Sequence, residues 1–316
     1  MKKKWFRFLI AAVLLVIFIA LGAIIVGNRD KGDNNQGSET QAALETGFRG
    51  KDKNALRDSE EERKNLNPEG MTLESRFLTP DGYARDEAEE GSLTEFLRSY
   101  ELKEDGSPVL LYDGRKRGNQ KAHAAVFRLP IEEEDLQQCA DSVMRVYAEY
   151  FYHTGQQERI AFHFTNGFLA EYEKWQEGNR IKVNGNNAYW VKTAAYDDSY
   201  ETLRSYLRMV FAYAGTQSMV EESEEISLPE IEVGDVFLKG GSPGHVVMVV
   251  DVCQKEDGKK AFLLAQGHMP AQEFHVLKNP EHKGDSWYYE EEITYPFHTP
   301  EYTFEEGSLR RLEYIR

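Results

Sequence analysis

The chain has 316 residues, and its 54 acidic side chains against 38 lysines and arginines give a formal net charge of −16. A surface this acidic repels a phosphate backbone, so the composition argues against nucleic-acid binding. Two cysteines, Cys139 and Cys253, are too few for a disulfide framework, and their spacing does not match a zinc motif. We therefore expect no cofactor and no resident metal ion.

The first predicted element is a membrane-spanning helix. Residues 8–26 form an uninterrupted apolar run, and four cations precede it within the first seven residues. About 19 apolar residues can cross the hydrocarbon core as a helix, and the cations favour a cytoplasmic N-terminus. A cleaved signal peptide, the alternative, has a shorter apolar region and a small-residue cleavage site. We predict a cytoplasmic flank and transmembrane anchor over residues 1–27.

The segment after the anchor, residues 28–70, is predicted to be a flexible polar linker. Its apolar content is too low to hold a packed core. No second linker and no internal repeat interrupts the sequence beyond it. We therefore predict that residues 71–316 form a single extracytoplasmic domain.

The first half of this domain is predicted to contain two strands, a helix and a short third strand. Turn signals and apolar runs indicate strands at residues 109–112 and 122–129. Apolar residues at helical spacing predict a helix over residues 132–152, with Cys139 on its apolar stripe and past its first turn. A short strand follows at residues 160–164.

The second half begins with a helix and continues with strands. The helix is predicted over residues 199–214, where Asp198 and Glu201 have capping-box spacing. Four further strands are predicted at residues 235–238, 245–252, 261–266 and 312–315. Helices followed by a run of strands favour an α+β domain, with helices packed on one face of a mostly antiparallel sheet.

A histidine opens one of these strands. His245 follows a turn that contains Gly240, Gly241 and Gly244. Glycine lets backbone or substrate approach closely, so we expect this imidazole at the exposed start of a buried strand, a position suited to a catalytic base. A turn histidine that hydrogen-bonds a carbonyl oxygen is the alternative.

A thiol hydrolase needs a cysteine near a histidine and a third polar group that orients the imidazole. We predict Cys139 as the nucleophile and His245 as the base, with Gln266 or His268, at the end of the next strand, as the orienting residue. The alternative for Cys139 is a structural role, because free cysteine often behaves as a small buried hydrophobe. Cys253 is set aside, since the intervening strand holds it on the order of 25 Å from His245.

Four separated sequence blocks carry a resemblance to a known family. They read LQQCAD at residues 136–141, FAYAGT at 211–216, GGSPGH at 240–245, and LLAQ at 263–266 followed by MPAQ at 269–272. Together they resemble the bacterial family called domain of unknown function 4846, over the whole predicted domain. The resemblance implies an exported or membrane-tethered protein and implies no particular activity.

A second resemblance depends on the order of a helix, a Gly-Asp-Val-Phe strand at residues 234–237 and a Gly-His-Val-Val-Met-Val-Val strand at 244–250. This order is similar to the papain-like cell-wall peptidases and amidases of the NlpC type. In those enzymes the cysteine begins the helix just before the Gly-Asp strand. The resemblance implies a papain-like core, His245 as the catalytic histidine, and Gln266 or His268 as the third member.

The corresponding helix of this chain, residues 199–214, contains no cysteine, and its start offers only Ser199, Thr202 and Ser205. Three alternatives follow from this departure. Cys139 supplies the thiol from a different helix, a serine replaces the thiol, or catalysis has been lost and the cleft binds a ligand.

These features predict a membrane-anchored, extracytoplasmic cysteine hydrolase, a peptidase or amidase that acts on the cell envelope. Its expected partners are envelope glycan or peptide and the membrane, with no nucleic acid. The alternative is a non-catalytic envelope module with a degenerate papain-like cleft that binds glycan, peptide or a protein. A purely structural envelope protein is the third hypothesis. A groove that reaches Cys139 and His245 would separate the first two from the third.

Overall fold

The computed structural model describes residues 64–315. The predicted transmembrane anchor and most of the predicted linker lie outside the described residues. Within residues 64–315, no helix is both long enough and apolar enough to cross a membrane. All of these residues belong to one compact unit.

The described part of the chain contains two long α-helices and several short ones. The helices are α1 (Leu73–Arg76), α2 (Leu93–Arg98), α3 (Cys139–His153), α4 (Tyr172–Gln176), α5 (Tyr200–Tyr213) and α6 (Thr216–Glu221). Every side chain of α3 from Cys139 to Phe151 is buried, so this helix is central to the domain and not a surface helix.

Most strands follow α6 in the chain. The strands are β1 (His123–Val126), β2 (Ala161–His163), β3 (Leu169–Glu171), β4 (Asn179–Asn184), β5 (Asn187–Lys192), β6 (Ser223–Glu225), β7 (Val236–Lys239), β8 (His245–Gln254), β9 (Lys260–Gln266), β10 (His275–Leu277), β11 (Tyr288–Tyr289), β12 (Phe297–His298), β13 (Thr303–Phe304) and β14 (Leu309–Leu312).

The main sheet has eight strands in the order β1-β10-β9-β8-β7-β14-β6, and β11 pairs with the same edge of β9 as β10 does. Every pairing in this sheet is antiparallel. Three two-stranded ladders, β2-β3, β4-β5 and β12-β13, lie outside it. The structure therefore confirms the predicted α+β class with a mostly antiparallel sheet.

The sheet separates two apolar clusters, because successive side chains of a strand point to opposite faces. On β8, Val246 and Met248 contact the cluster that contains the buried helix residues. Val247 and Val249 contact the other cluster, which includes Phe304 and has no α-helical member. The helices therefore pack on one face, and the strands and loops of the C-terminal segment cover the other.

Two predictions for the first half of the domain were wrong: the strand at residues 109–112 and the start of the first long helix. Residues 109–112 form no strand and make only isolated bridges, because their backbone is held by the side chain of Glu273 and by a bridge to Gln272. The first long helix begins at Cys139, not at residue 132. The backbone N–H of Gln138 donates to Asp141 Oδ2 at 3.0 Å, and this bond closes the helix start.

Two boundaries in the second half also differ from the prediction. The capping box between Asp198 and Glu201 is not formed, because Ser199 is the N-cap and its Oγ accepts the backbone N–H of Thr202 at 3.3 Å. The last strand is Leu309–Leu312 and not residues 312–315, because its pairing with β7 and β6 ends at Leu312.

A buried ion-pair cluster ties the N-terminal part of the domain to β8. Asp251 is fully buried, and its carboxylate accepts from Arg85 Nε at 2.7 Å and from Arg98 Nε at 2.9 Å. Both arginine side chains are nearly buried as well. A desolvated guanidinium needs an anionic partner, so this carboxylate holds the segment around α2 against the sheet.

Replacing Asp251 by Asn should lower the free energy of unfolding by about 3–5 kcal/mol, because two desolvated cations lose their counter-charge. Urea unfolding measures this. The exposed Asp81 offers a matched control, and Asp81→Asn should change the same quantity by less than about 0.5 kcal/mol. Equal stability of the two variants would contradict the assigned role of Asp251.

Candidate active site

Cys139 is the first residue of α3. The prediction that it lies past the first turn was therefore wrong. At the first position of a 15-residue helix, the sulfur is close to backbone N–H groups that have no helical partner and to the positive end of the helix dipole. Both features stabilise a thiolate. The helix packs against β8, the strand that His245 opens.

Glycine at position 267, just after β9, permits this packing. A Cβ atom at Gly267 would lie 2.2 Å from Ser142 Oγ and 2.8 Å from the carbonyl oxygen of Gln138. Both of these groups belong to the start of α3. Any larger residue would push the first turn of α3, and with it Cys139, away from the end of β9.

A second glycine, Gly244, permits a similarly close packing next to His245. A Cβ atom at Gly244 would lie 2.3 Å from Thr216 Oγ1 and 2.6 Å from the carbonyl oxygen of Gly241. The residue before His245 is thereby packed tightly against the start of α6. The glycine-rich turn identified in the sequence thus serves close backbone packing beside the imidazole.

The structure brings His245 and Gln266 together. His245 Nε2 and Gln266 Oε1 are 2.7 Å apart, and both residues are buried. An amide oxygen can only accept, so the imidazole donates its Nε2–H and keeps the lone pair on Nδ1. The expected exposed position of His245 was wrong: the ring is 2 % exposed, because Tyr302 and Phe304 pack against it.

His268, the other predicted orienting residue, makes a different contact. Its ring packs on the ring of His245, with 4.9 Å between the centroids. Its Nδ1 accepts the backbone N–H of Met269 at 2.8 Å. His268 therefore contacts the imidazole through its face, whereas Gln266 occupies the hydrogen-bonding position.

Cys139 lies beside the strand of His245. The backbone of Val246, the residue after the histidine, hydrogen-bonds the sulfur and acts to lower the pKa of the thiol. Within residues 64–315 no hydrogen bond joins the sulfur to the imidazole ring. The sulfur therefore contacts the backbone of the residue next to His245, and the thiol and the imidazole are not a preformed hydrogen-bonded pair.

An open groove of about 410 Å³ reaches the thiol. Cys139 and Asp141 line it on one side, and the end of α5, the turn before His245 and Met269 line the rest. The other cysteine, Cys253, borders a separate cavity of about 520 Å³. Both cysteines are free thiols. The groove at Cys139 borders the turn before His245 but not the imidazole itself, and the cavity at Cys253 borders the far end of the same strand.

Burial dominates the protonation of the site. It raises the pKa of Cys139 to about 11, with a further contribution from the nearby carboxylate of Asp141. Burial also lowers the pKa of His245 to about 4, against the opposing effect of its bond to Gln266. At neutral pH the site therefore holds a neutral thiol and a neutral imidazole.

Asp141 was not singled out in the sequence. Asp141 is 6 % exposed, and burial raises the pKa of its carboxyl group to about 8. One carboxyl oxygen caps Gln138, while Oδ1 has no hydrogen-bond partner in the described part of the chain. A helix start followed two residues later by Asp is a common capping signal, so only the burial distinguishes this residue.

The serine alternative is not supported by the geometry. Ser199 caps the start of α5, and the neighbouring Tyr200 donates to Glu149 Oε1 at 2.6 Å, ten residues along α3 from Cys139. Ten helical residues span about 15 Å. It is the opposite end of α5 that borders the groove. The cysteine that lines the groove belongs to α3.

No metal centre is formed in the region that the structure describes. Residues 64–315 contain no group of three or more His, Cys, Asp or Glu side chains arranged to hold a metal ion. The rings of His245 and His268 contact each other at a tilt of 48°, and Gln266 lies between His245 and His275. Polar contacts thus join His245, Gln266 and His275 to one another.

The fold and the site define an α+β domain in which a helix that begins with a cysteine packs on a strand that begins with a histidine. The chain belongs to the family described as domain of unknown function (4846), whose model matches residues 73–311. The predicted resemblance to this family is confirmed. No curated protein and no solved structure matches the chain.

Replacing Asp141 by Asn should lower the pKa of the Cys139 thiol. Above the pKa of Asp141, about 8, its negative charge opposes the thiolate, and the amide removes that charge while keeping the cap. In a Cys253→Ala background, the rate of alkylation by iodoacetamide against pH measures the shift toward lower pH. Asp135→Asn changes an exposed carboxylate of the same groove and should leave the curve in place. Superimposable curves for wild type and Asp141→Asn would contradict this electrostatic coupling.

Proposed function

We propose that this domain is a cysteine hydrolase with a papain-like arrangement of Cys139, His245 and Gln266. One observation carries the proposal: the helix that packs on the strand of His245 begins with a cysteine that lines an open groove. The bond between His245 and Gln266 supports it, because it leaves the basic nitrogen of the imidazole unblocked. We assign Gln266, and not His268, as the residue that orients the imidazole.

The chemistry would run as acyl transfer to sulfur. As the sulfur of Cys139 attacks a carbonyl carbon, its proton passes to Nδ1 of His245. The resulting oxyanion would be stabilised by unpaired N–H groups at the start of α3. The imidazolium then protonates the leaving amine, and the C–N bond breaks to give a thioester. Water, deprotonated by the same imidazole, hydrolyses the thioester and restores the thiol.

The protonation of the resting site determines the type of catalysis. The pKa of Cys139, about 11, lies far above that of His245, about 4, so no thiolate–imidazolium pair is populated before substrate binds. Proton transfer must therefore accompany nucleophilic attack, as general-base catalysis. A substrate carbonyl in the groove is what makes the transfer favourable.

The proposed setting is the outer side of a membrane, with an envelope peptide or amide as substrate. The apolar run at residues 8–26 and the preceding cations support an anchor with a cytoplasmic N-terminus. The polar segment at residues 28–70 would then carry the domain to nearby envelope material. The net charge of −16 supports a partner other than nucleic acid.

Measuring hydrolysis by variants of Cys139 and His245 tests the proposal. Cys139→Ala should abolish release of amines from a purified cell-wall preparation, and His245→Ala should reduce it by about 10²–10⁴-fold, because the general base is lost. His268→Ala removes a ring that packs on His245 without hydrogen-bonding to it and should retain most activity. Amine release by Cys139→Ala equal to wild type would exclude thiol catalysis.

The activity should persist to unusually low pH. Because burial lowers the pKa of His245 to about 4, the imidazole stays neutral and able to accept a proton at all higher pH values. We expect kcat/KM to fall only as the pH drops through about 4, whereas an ordinary histidine would give a fall near 6.5. Circular dichroism at each pH separates this titration from unfolding. An acidic limb near 6.5 would show that His245 is not the base.

A non-catalytic binding module of the same fold is the second candidate. The observation that favours it is the neutral pair itself, with a buried imidazole and no thiol–imidazole hydrogen bond in the described chain. Such a groove would hold an envelope glycan or peptide without cleaving it. In that case Cys139→Ala would bind soluble cell-wall fragments as tightly as wild type in calorimetry, and neither protein would release amines.

A further inference from the structure

A carboxylate from the C-terminal part of the chain lies directly behind Gln266. Glu301 Oε2 accepts from Gln266 Nε2 at 2.7 Å, on the side of the amide opposite His245. The same oxygen pairs with Arg117 Nη1 at 2.9 Å, and Asn119 Nδ2 donates to Oε1 at 3.1 Å. The polar chain thus runs from Arg117 through Glu301 and Gln266 to the imidazole.

This contact decides which way the amide of Gln266 faces. The oxygen and nitrogen ends of a glutamine amide are nearly the same size, but one accepts and the other donates. A carboxylate can only accept, so Glu301 requires the NH₂ group on its own side. The amide oxygen is then left to face His245. With the amide reversed, two acceptors would oppose each other at Glu301.

A neighbouring histidine supports the same orientation more weakly. His275 Nδ1 lies 2.8 Å from the carbonyl oxygen of Glu273, so Nδ1 carries the proton and Nε2 is an acceptor. Nε2 faces Gln266 Nε2 at 3.4 Å and Arg117 Nη1 at 3.1 Å. The bond to Glu301 is shorter and charge-assisted, which makes it the stronger of the two.

Arg117 makes a carboxylate tolerable at this place. The side chains of Arg117 and Glu301 are 5 % and 14 % exposed. A carboxylate so far from water costs free energy unless a cation is paired with it. Arg117 is itself held by Gln272 Oε1 at 2.8 Å and by the carbonyl oxygen of Asn119 at 2.6 Å. The orienting carboxylate therefore has a fixed counter-ion.

The loop that carries Glu301 also contacts the imidazole directly. The ring of Tyr302 lies 4.8 Å from the ring of His245, centroid to centroid. Phe304 follows two residues later and packs on the same histidine. One short segment, between β12 and β13 and into β13, thus both covers the imidazole and orients its partner.

We propose that Glu301 is a positioning residue that sets the tautomer of His245 through Gln266. Its carboxylate orients the amide, the amide oxygen takes the Nε2–H of His245, and Nδ1 is left as the proton acceptor. The consequence for catalysis rests on the proposed hydrolase function. The consequence for the tautomer does not.

The tautomer can be measured directly by ¹⁵N NMR of the imidazole, in the full chain at neutral pH. Wild type should show a single tautomer with the proton on Nε2. Glu301→Gln, which can present either end of its own amide to Gln266, should show a mixture with Nδ1–H. Glu301→Asp keeps an obligate acceptor and should restore the Nε2–H form. Glu306→Gln, an exposed change in the same segment, should match wild type.

Kinetics on the cell-wall preparation provide the second readout. Glu301→Gln should lower kcat by at least about tenfold and leave KM unchanged, because a wrong tautomer removes the base without altering the groove. Glu301→Asp should recover much of this loss. A merely structural role for Glu301 would lower the stability of both variants alike and leave the tautomer unchanged.

Two outcomes would overturn the proposal. One is an Nδ1–H tautomer in wild type, which can be seen whether or not any variant folds. The other is a pure Nε2–H tautomer in folded Glu301→Gln. If wild type releases no amines but Glu301→Gln still shifts the tautomer, the hydrolase function fails and the positioning role of Glu301 stands.

Discussion

The close approach of the first turn of α3 to the ends of β8 and β9 is the constraint on which the candidate site depends. Gly267 makes it possible, because a Cβ atom there would meet Ser142 Oγ at 2.2 Å. The approach places Cys139 beside Val246 and therefore beside the strand of His245. It also leaves the thiol at the wall of a groove of about 410 Å³. Without this packing, Cys139 would not lie beside the strand of His245.

The same packing removes water, and the electrostatics of the site follow from that. Burial raises the pKa of Cys139 to about 11 and lowers that of His245 to about 4, since each charged form would lose its hydration. A site of this kind cannot rely on a resting ion pair. It depends instead on the orientation of neutral groups, and this gives the polar chain behind the imidazole its importance.

Much of the strand pattern was accessible from sequence, because burial imposes a local period of two on a strand. The start of β8 at His245 and the end of β9 at Gln266 were predicted at those residues. The start of α3 was misplaced, since apolar spacing continues before Cys139. The helix begins at Cys139 because the side chain of Asp141 caps the backbone N–H of Gln138. Glu301 and Arg117 were missed altogether. They are 35 and 149 residues from Gln266 along the chain, and no periodicity links them to it.

The sequence by itself determined the α+β class, the glycine turn before His245 and the family, because each follows from local spacing or from contiguous blocks. Only the tertiary structure decided which helix faces the histidine, which of Gln266 and His268 bonds to it, and that the imidazole is buried. These are contacts between elements far apart in the chain. They depend on how strands pair and how a helix docks on the sheet, and hydrophobic periodicity specifies a buried face without naming the partner that covers it.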